Sequence, residues 1–320
     1  MDKKDLRIVF LGTPEFAVES LRRIVEGGYN VVGAVTMPDK PAGRGHRLYQ
    51  SPVKEYALSH DIPVLQPVRL KDPEFIENLR SLQADLFIVI AFRMLPEVVW
   101  AMPRFGTFNL HASLLPQYRG AAPINRAVMN GETRTGVTTF MLKHEIDTGD
   151  ILRQEAIEIG PEENVGSVHD RLMLLGADLV IDTIGNIIRG TLQPLPQDRI
   201  LKGAEPTPAP KIFKEDCRID WTRTAAEIHN HIRGLSPYPA AWTILKGDNT
   251  PEIEMKIMTA VVSDANVNGA PGSVTVDDGR LVVACGNGAI EIKALRPAGK
   301  KLMDADAYLR GARLVNPRML

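Results

Sequence analysis

Near-continuous apolar runs of strand length set the strongest limit on how this chain can fold. LRIVFLG (Leu6 to Gly12), NVVGAVT (Asn30 to Thr36) and ADLFIVIAF (Ala84 to Phe92) lack the polar alternation of a half-wet sheet. Such runs belong to strands buried on both faces, as in parallel sheets. Between the first two lies TPEFAVESLRRIVEGG, with Phe16, Leu21, Ile24 and Val25 at helical spacing. Thr13 is its expected N-cap, Pro14 its first helical residue, and Gly27-Gly28 its stop. IPVLQP adds a short strand, and a helix is expected from about Asp72 to Leu82. Strands alternating with helices predict an α/β domain with a mostly parallel sheet covered on both faces.

The texture changes after a helical stretch, SVHDRLMLLGADLVIDTIGNIIRG. Residues 191–210 are rich in proline and read as a linker. Beyond them, Thr224 to Glu227 form a capping-box pattern ahead of Ile228, Ile232 and Leu235. Short strand signals follow (EMKIMTAVV, GSVTVDD, GRLVVACG, GAIEIKAL), and the turns DDG and GNG separate the last three. They predict a small sandwich or barrel. The expected organisation is a catalytic domain over 1–190, a linker over 191–210 and a second domain over 211–320.

Lys plus Arg number 38 against 39 Asp plus Glu, so any site for a polyanion must be local. Cys217 and Cys285 are too few and too far apart for a disulfide framework or a cysteine zinc site, and fit a reducing cytosol. No apolar run approaches the length of a membrane span, and the charged start reads as a lead-in to the first strand.

FNLHASLLPQYRG (108–120) places two polar residues in a strand-like run. Strand side chains alternate, so Asn109 and His111 share a face about 7 Å apart. An amide donor beside an imidazole can hold a carbonyl oxygen and manage its protons. An imidazole so used calls for an orienting carboxylate. The DTGD turn, between strand signals at 137–142 and 151–159, offers Asp147 and Asp150, and spacing does not choose between them. Nothing here has the spacing of a local metal motif such as HExxH, and neither GxGxxG nor a phosphate-binding GxxxxGK[ST] occurs.

The whole segment from FNLHASLLP to DTGDIL resembles the signature of the folate-dependent formyltransferases. In that family an Asn, a His two residues on, an SLLP turn and an Asp before Thr-Gly build the active centre. The resemblance selects Asn109, His111 and Asp147 as catalytic, and Ser113, Leu114, Leu115 and Pro116 as folate-binding. LGTPEFA, TMPDKPAGRGHRL with SPVK, YRGAAPINRA and PAGKKLM resemble the branch of the family that acts on methionyl-tRNA. That implies a Rossmann-like N-terminal domain, a small OB-like C-terminal barrel, and 10-formyltetrahydrofolate as donor without a metal. It also implies initiator methionyl-tRNA as acceptor and a cytoplasmic monomer. The resemblance further implies that the α-amine attacks the formyl carbon, that Asn109 donates to the oxygen that gains charge, and that protonated His111 assists N10 as leaving group. Asp147 favours the charged imidazole. One departure stands out: IAFRMLP (Ile90 to Pro96), where the family has an IAYGxILP-like stretch.

The loop DKPAGRGHRLYQSPVK supplies Lys40, Arg44, Arg47 and Lys54 against Asp39, and the resemblance points it at acceptor-stem phosphates. In the C-terminal domain Lys300 and Lys301 are the local candidates. Two other readings compete: a formyltransferase acting on an amino sugar nucleotide or a purine precursor, and a catalytically silent folate or RNA binder. The C-terminal half lacks the GxGxxG that a dinucleotide-binding second domain would carry, and a silent binder would be expected to have lost one of the three polar residues.

Overall fold

The computed structural model describes every residue except 43–46, 249, 266 and 268. In chain order the first elements are β1 (Arg7–Gly12), α1 (Glu15–Glu26), β2 (Asn30–Val35), β3 (Lys40–Ala42), β4 (Arg47–Tyr49), α2 (Pro52–Leu58), β5 (Val64–Leu65) and α3 (Pro73–Ser81). Next come β6 (Leu86–Ile90), α4 (Glu97–Trp100), β7 (Thr107–His111), β8 (Arg119–Gly120), α5 (Pro123–Met129), β9 (Arg134–Met141), β10 (Ile151–Glu158) and α6 (Val165–Arg189). The rest are α7 (Asp198–Leu201), β11 (Pro208–Ala209), α8 (Ala225–Leu235), β12 (Ala241–Gly247), β13 (Thr250–Ser263), β14 (Val274–Asp277), β15 (Arg280–Ala284), β16 (Ala289–Pro297), β17 (Met303–Asp304), α9 (Ala305–Gly311) and β18 (Arg318–Met319).

By packing, the chain divides into two units. The first comprises 1–120, 136–157 and 169–208; the second comprises 121–135, 158–168 and 209–320.

The first unit is built on a sheet in the order β10-β9-β7-β6-β1-β2-β5. β5, β2, β1, β6 and β7 run parallel, and β9 returns antiparallel to β7. The buried runs behave as expected: every residue of β6, and all of β1 after Arg7, is buried. From β1 the chain moves outward to β2 on one side and later to β6 and β7 on the other. This reversal opens a crevice at the carboxyl ends of the central strands, where open α/β sheets bind ligands. Asn109 pairs with Val89 and Leu110 with Ile90, so the polar pair of β7 ends at that edge. Thr13 does not cap α1. Pro14 takes the N-cap position with extended backbone and offers no side-chain acceptor, while the buried Thr13 hydroxyl has no partner among the described residues. Gly27 and Gly28 do close the helix, their N–H groups bonding the carbonyls of Arg23 and Val25.

The second unit holds an antiparallel sheet in the order β14-β15-β16-β13-β12-β18, with β17 beside β16. The sheet curls until its ends meet: Met319 N–H bonds the Gly272 carbonyl and Val274 N–H bonds that of Pro317, giving a nearly closed barrel. Closure removes the exposed edges that a small sheet would otherwise present. α8 covers its core with Ile228, Ile232 and Leu235 against Ile257, Ile290 and Leu295. The capping box is formed as expected, Thr224 and Glu227 satisfying each other's backbone.

Candidate active site

β7 delivers His111 to the crevice 7% exposed, and the turn after β9 brings Asp147 to it 12% exposed. His111 Nδ1 lies 3.9 Å from Asp147 Oδ2, close enough for charge attraction but beyond hydrogen-bond length. The other ring nitrogen, Nε2, is 2.8 Å from the Tyr118 carbonyl oxygen. That carbonyl can only accept, so Nε2 carries the hydrogen and Nδ1 is left to gain or lose one. The edge of the Phe140 ring system packs on the imidazole, centroids 6.4 Å apart and planes at 86°. Asn109 sits two residues back on the same face, and its buried Oδ1 has no partner among the described residues. A buried amide oxygen left unbonded costs free energy unless a ligand supplies the bond.

The two carboxylates of the turn have different neighbours. Asp150 pairs with Lys143 at 2.8 Å. Asp147 instead adopts the left-handed backbone (φ 55°), which Asp tolerates, and receives the Gly120 N–H at 2.9 Å. Gly149 is obligatory in this turn, since a Cβ there would stand 1.5 Å from the Met141 carbonyl oxygen.

Gln197, outside every sequence motif, and Arg119, inside YRGAAPINRA, hold the turn. Gln197, 2% exposed, donates through Nε2 to the carbonyls of Asp147 (2.9 Å) and Gly149 (2.8 Å). Its Oε1 accepts from Arg119 Nη2 at 2.7 Å and Nε at 3.1 Å. Arg119 follows the SLLP turn and Gln197 lies in the proline-rich stretch, so this one amide bridges segments far apart in sequence. Residues 191–208 accordingly belong to the first unit.

The SLLP segment folds tightly after β7 and contains the cis Leu115–Pro116 bond. Ser113 is buried, and its hydroxyl donates to the Gln117 carbonyl at 2.7 Å. Leu115 packs with Phe140 and Ile151, Pro116 is buried, and Leu114 is half-buried. Thr138 of β9 pins the turn by donating to the Ser113 carbonyl and accepting from Leu115 N–H. The departure at Arg93 also finds a structural account. Its guanidinium donates to the carbonyls of Pro67 and Val68, tying the loop after β6 to the loop after β5.

Among the basic candidates, Lys40, Lys300 and Lys301 are exposed. Arg44 lies outside the described residues, and Arg47 falls in β4 by its backbone. Lys54 is not free for phosphate: it pairs with Asp39 at 2.6 Å, and Asp39 also accepts from Gln66. No helix among the described residues is long and apolar enough to cross a membrane.

The family model described as formyl transferase matches residues 6–184, and that for the formyl transferase C-terminal domain matches 211–313; the chain belongs to this family. It is 57% identical over 316 residues to the methionyl-tRNA formyltransferase of Bacteroides fragilis, covering 98% of this chain and 97% of that one. To the enzyme of the same name from Phocaeicola vulgatus it is 58% identical over 317 residues, 98% of each chain. Among solved structures, an N-formyltransferase from Helicobacter canadensis, in complex with folinic acid and dTDP-3-aminofucose, superposes with a TM-score of 0.66 at 20% identity, over 90% of this chain and 98% of that one. HypX from Aquifex aeolicus in complex with tetrahydrofolic acid superposes with a TM-score of 0.61 at 20% identity, over 95% of this chain and 47% of that one. At such identities the likeness is one of fold.

Proposed function

We propose that this chain transfers the formyl group of 10-formyltetrahydrofolate to the α-amine of initiator methionyl-tRNA, in the cytoplasm, for translation initiation. The observation that supports the reading is His111 Nδ1 3.9 Å from Asp147 Oδ2 at the end of the strand that carries Asn109, in a chain 57% identical to a methionyl-tRNA formyltransferase over nearly its full length. The folate supplies a formyl carbon activated on nitrogen. Asn109 presents its amide to the formyl oxygen, where charge accumulates as the amine adds; a fixed donor there acts without reorganising. Protonated His111 gives its Nδ1 hydrogen to N10 as the bond from N10 to the formyl carbon breaks and tetrahydrofolate leaves, and it regains a proton from the amine that has added; its Nε2 stays tied to the Tyr118 carbonyl. Asp147 stabilises the imidazolium from 3.9 Å and is itself held by Gly120 and Gln197. Ser113, Leu114, Leu115 and Pro116 form the folate-facing turn, and Lys40, Arg44, Arg47, Lys300 and Lys301 meet tRNA phosphates.

The test is direct. The protein is incubated with 10-formyltetrahydrofolate and, separately, with methionyl initiator tRNA, methionyl elongator tRNA and an amino sugar nucleotide, and the products are separated and weighed. Formylation of the initiator alone is expected. Preferential formylation of the sugar amine would replace this reading with the competing one.

A further inference from the structure

A second constellation of charge lies wholly within the second unit. A cavity of about 270 Å3 is lined by Arg126, Arg218 and Arg223, by Asp216 and Asp220, and by His231. Met129, Ile219 and Ile228 give it an apolar floor. The two acids are already engaged by the chain. Asp220 accepts the Thr222 hydroxyl at 2.6 Å and its N–H at 3.0 Å, bonds that hold its carboxyl below the usual carboxylate range. Asp216 accepts the Phe213 N–H at 2.8 Å and lies 3.6 Å from Arg126. The arginines are less committed. Arg223 is 4.0 Å from Asp220, too far for a hydrogen bond. Arg218 rests over the Trp242 ring at 5.5 Å and has no carboxylate partner among the described residues. Burial first, with the Arg223 and Arg126 charges behind it, holds His231 below its ordinary value and therefore neutral near pH 7.

Three guanidinium charges against two carboxylates leave the lining one charge positive. A phosphodiester carries one negative charge, whereas a phosphomonoester carries about 1.5–2. Arginine also presents a fork of donors that matches two phosphate oxygens. We propose that this pocket seats one backbone phosphodiester of the bound tRNA, with Arg218 and Arg223 as its donors. The inference rests on the tRNA reading above and assigns a contact apart from the Lys300–Lys301 pair.

Equilibrium tRNA binding, measured between about 50 and 200 mM salt, tests it. Each phosphate contact contributes about 0.7–0.9 to the slope of log affinity against log salt. Arg223→Gln is expected to weaken binding and flatten the slope by part of that amount, Arg218→Gln/Arg223→Gln by about the whole of it, and Arg223→Lys to restore it. Both arginines are exposed, and circular dichroism checks the fold of each variant. An unchanged slope in the folded double variant would overturn the proposal while leaving the formylation reading intact. Absence of tRNA binding by the unaltered protein would overturn the formylation reading first. Inorganic phosphate and adenosine monophosphate are tested in parallel. If the variants lose these small anions yet keep the tRNA slope, the pocket serves a free anion and the proposal fails.

Discussion

Gly149→Ala isolates what positions the Asp147 carboxylate. An added methyl would lie 1.5 Å from the Met141 carbonyl oxygen, where Cβ contacts essentially never fall below 3.0 Å. The two segments must therefore part by roughly 1.5 Å. Met141 ends β9, which is hydrogen-bonded to β7 in the sheet, so the turn is the side that yields. Asp147 is two residues away and already 3.9 Å from His111. Gln197 also loses its grip, since it bonds the carbonyls of both Asp147 and Gly149. A displacement of about 1 Å at a catalytic group can cost on the order of 10²-fold. Single-turnover formylation with saturating tRNA is expected to slow by about 10²-fold, with tRNA affinity unchanged. If the effect passes through Asp147, Gly149→Ala should cost much less in an Asp147→Asn background, because coupled sites are not additive. A folded Gly149→Ala protein turning over within about twofold of the unaltered one would refute the argument, since the turn's geometry would then not matter.

Asn109→Ala is expected to lose about 10²–10³ in turnover with the fold intact, as for removal of an oxyanion donor. His111→Ala and Asp147→Ala should lose more, and together far less than the product of their separate losses, in the same assay. His231, held below 6.5 chiefly by burial, resists protonation in the folded state; the unfolded chain takes the proton first. Its contribution to stability is therefore complete above pH 6.5 and is lost as pH falls below it, so urea midpoints should drop more steeply from pH 6.5 to 5 than in His231→Gln. Burial pushes the Cys285 thiol up to about 11, so it should react with a disulfide reagent at pH 8 only after denaturation.

Much of the fold was legible in the sequence because buried parallel strands leave no polar alternation, and β1, β2 and β6 fall where the apolar runs lie. The capping box of α8 and the tight turns of the barrel are local features, so their residues announce them. Thr13 shows where local reading fails: a capping residue one place too early is overruled by the extended proline that follows. The polar pair of β7 was visible because two polar side chains broke an apolar strand. What they do was not, because a catalytic distance joins residues far apart in the chain.

By composition and spacing alone Asp147 and Asp150 were equivalent, and only the resemblance preferred one. Folding separates them physically, turning Asp147 toward His111 and giving Asp150 to Lys143. Gln197 had no sequence signal, because its importance lies in carbonyls some fifty residues away (48 to Gly149, 50 to Asp147). The basic pocket of Arg126, Arg218 and Arg223 was equally hidden, since α5 and α8 meet only in the folded second unit. Periodicity and capping are written in neighbouring residues, and the sequence therefore determines the elements. Charge pairing and turn support depend on distance through space, which the chain acquires only when its sheet and barrel close.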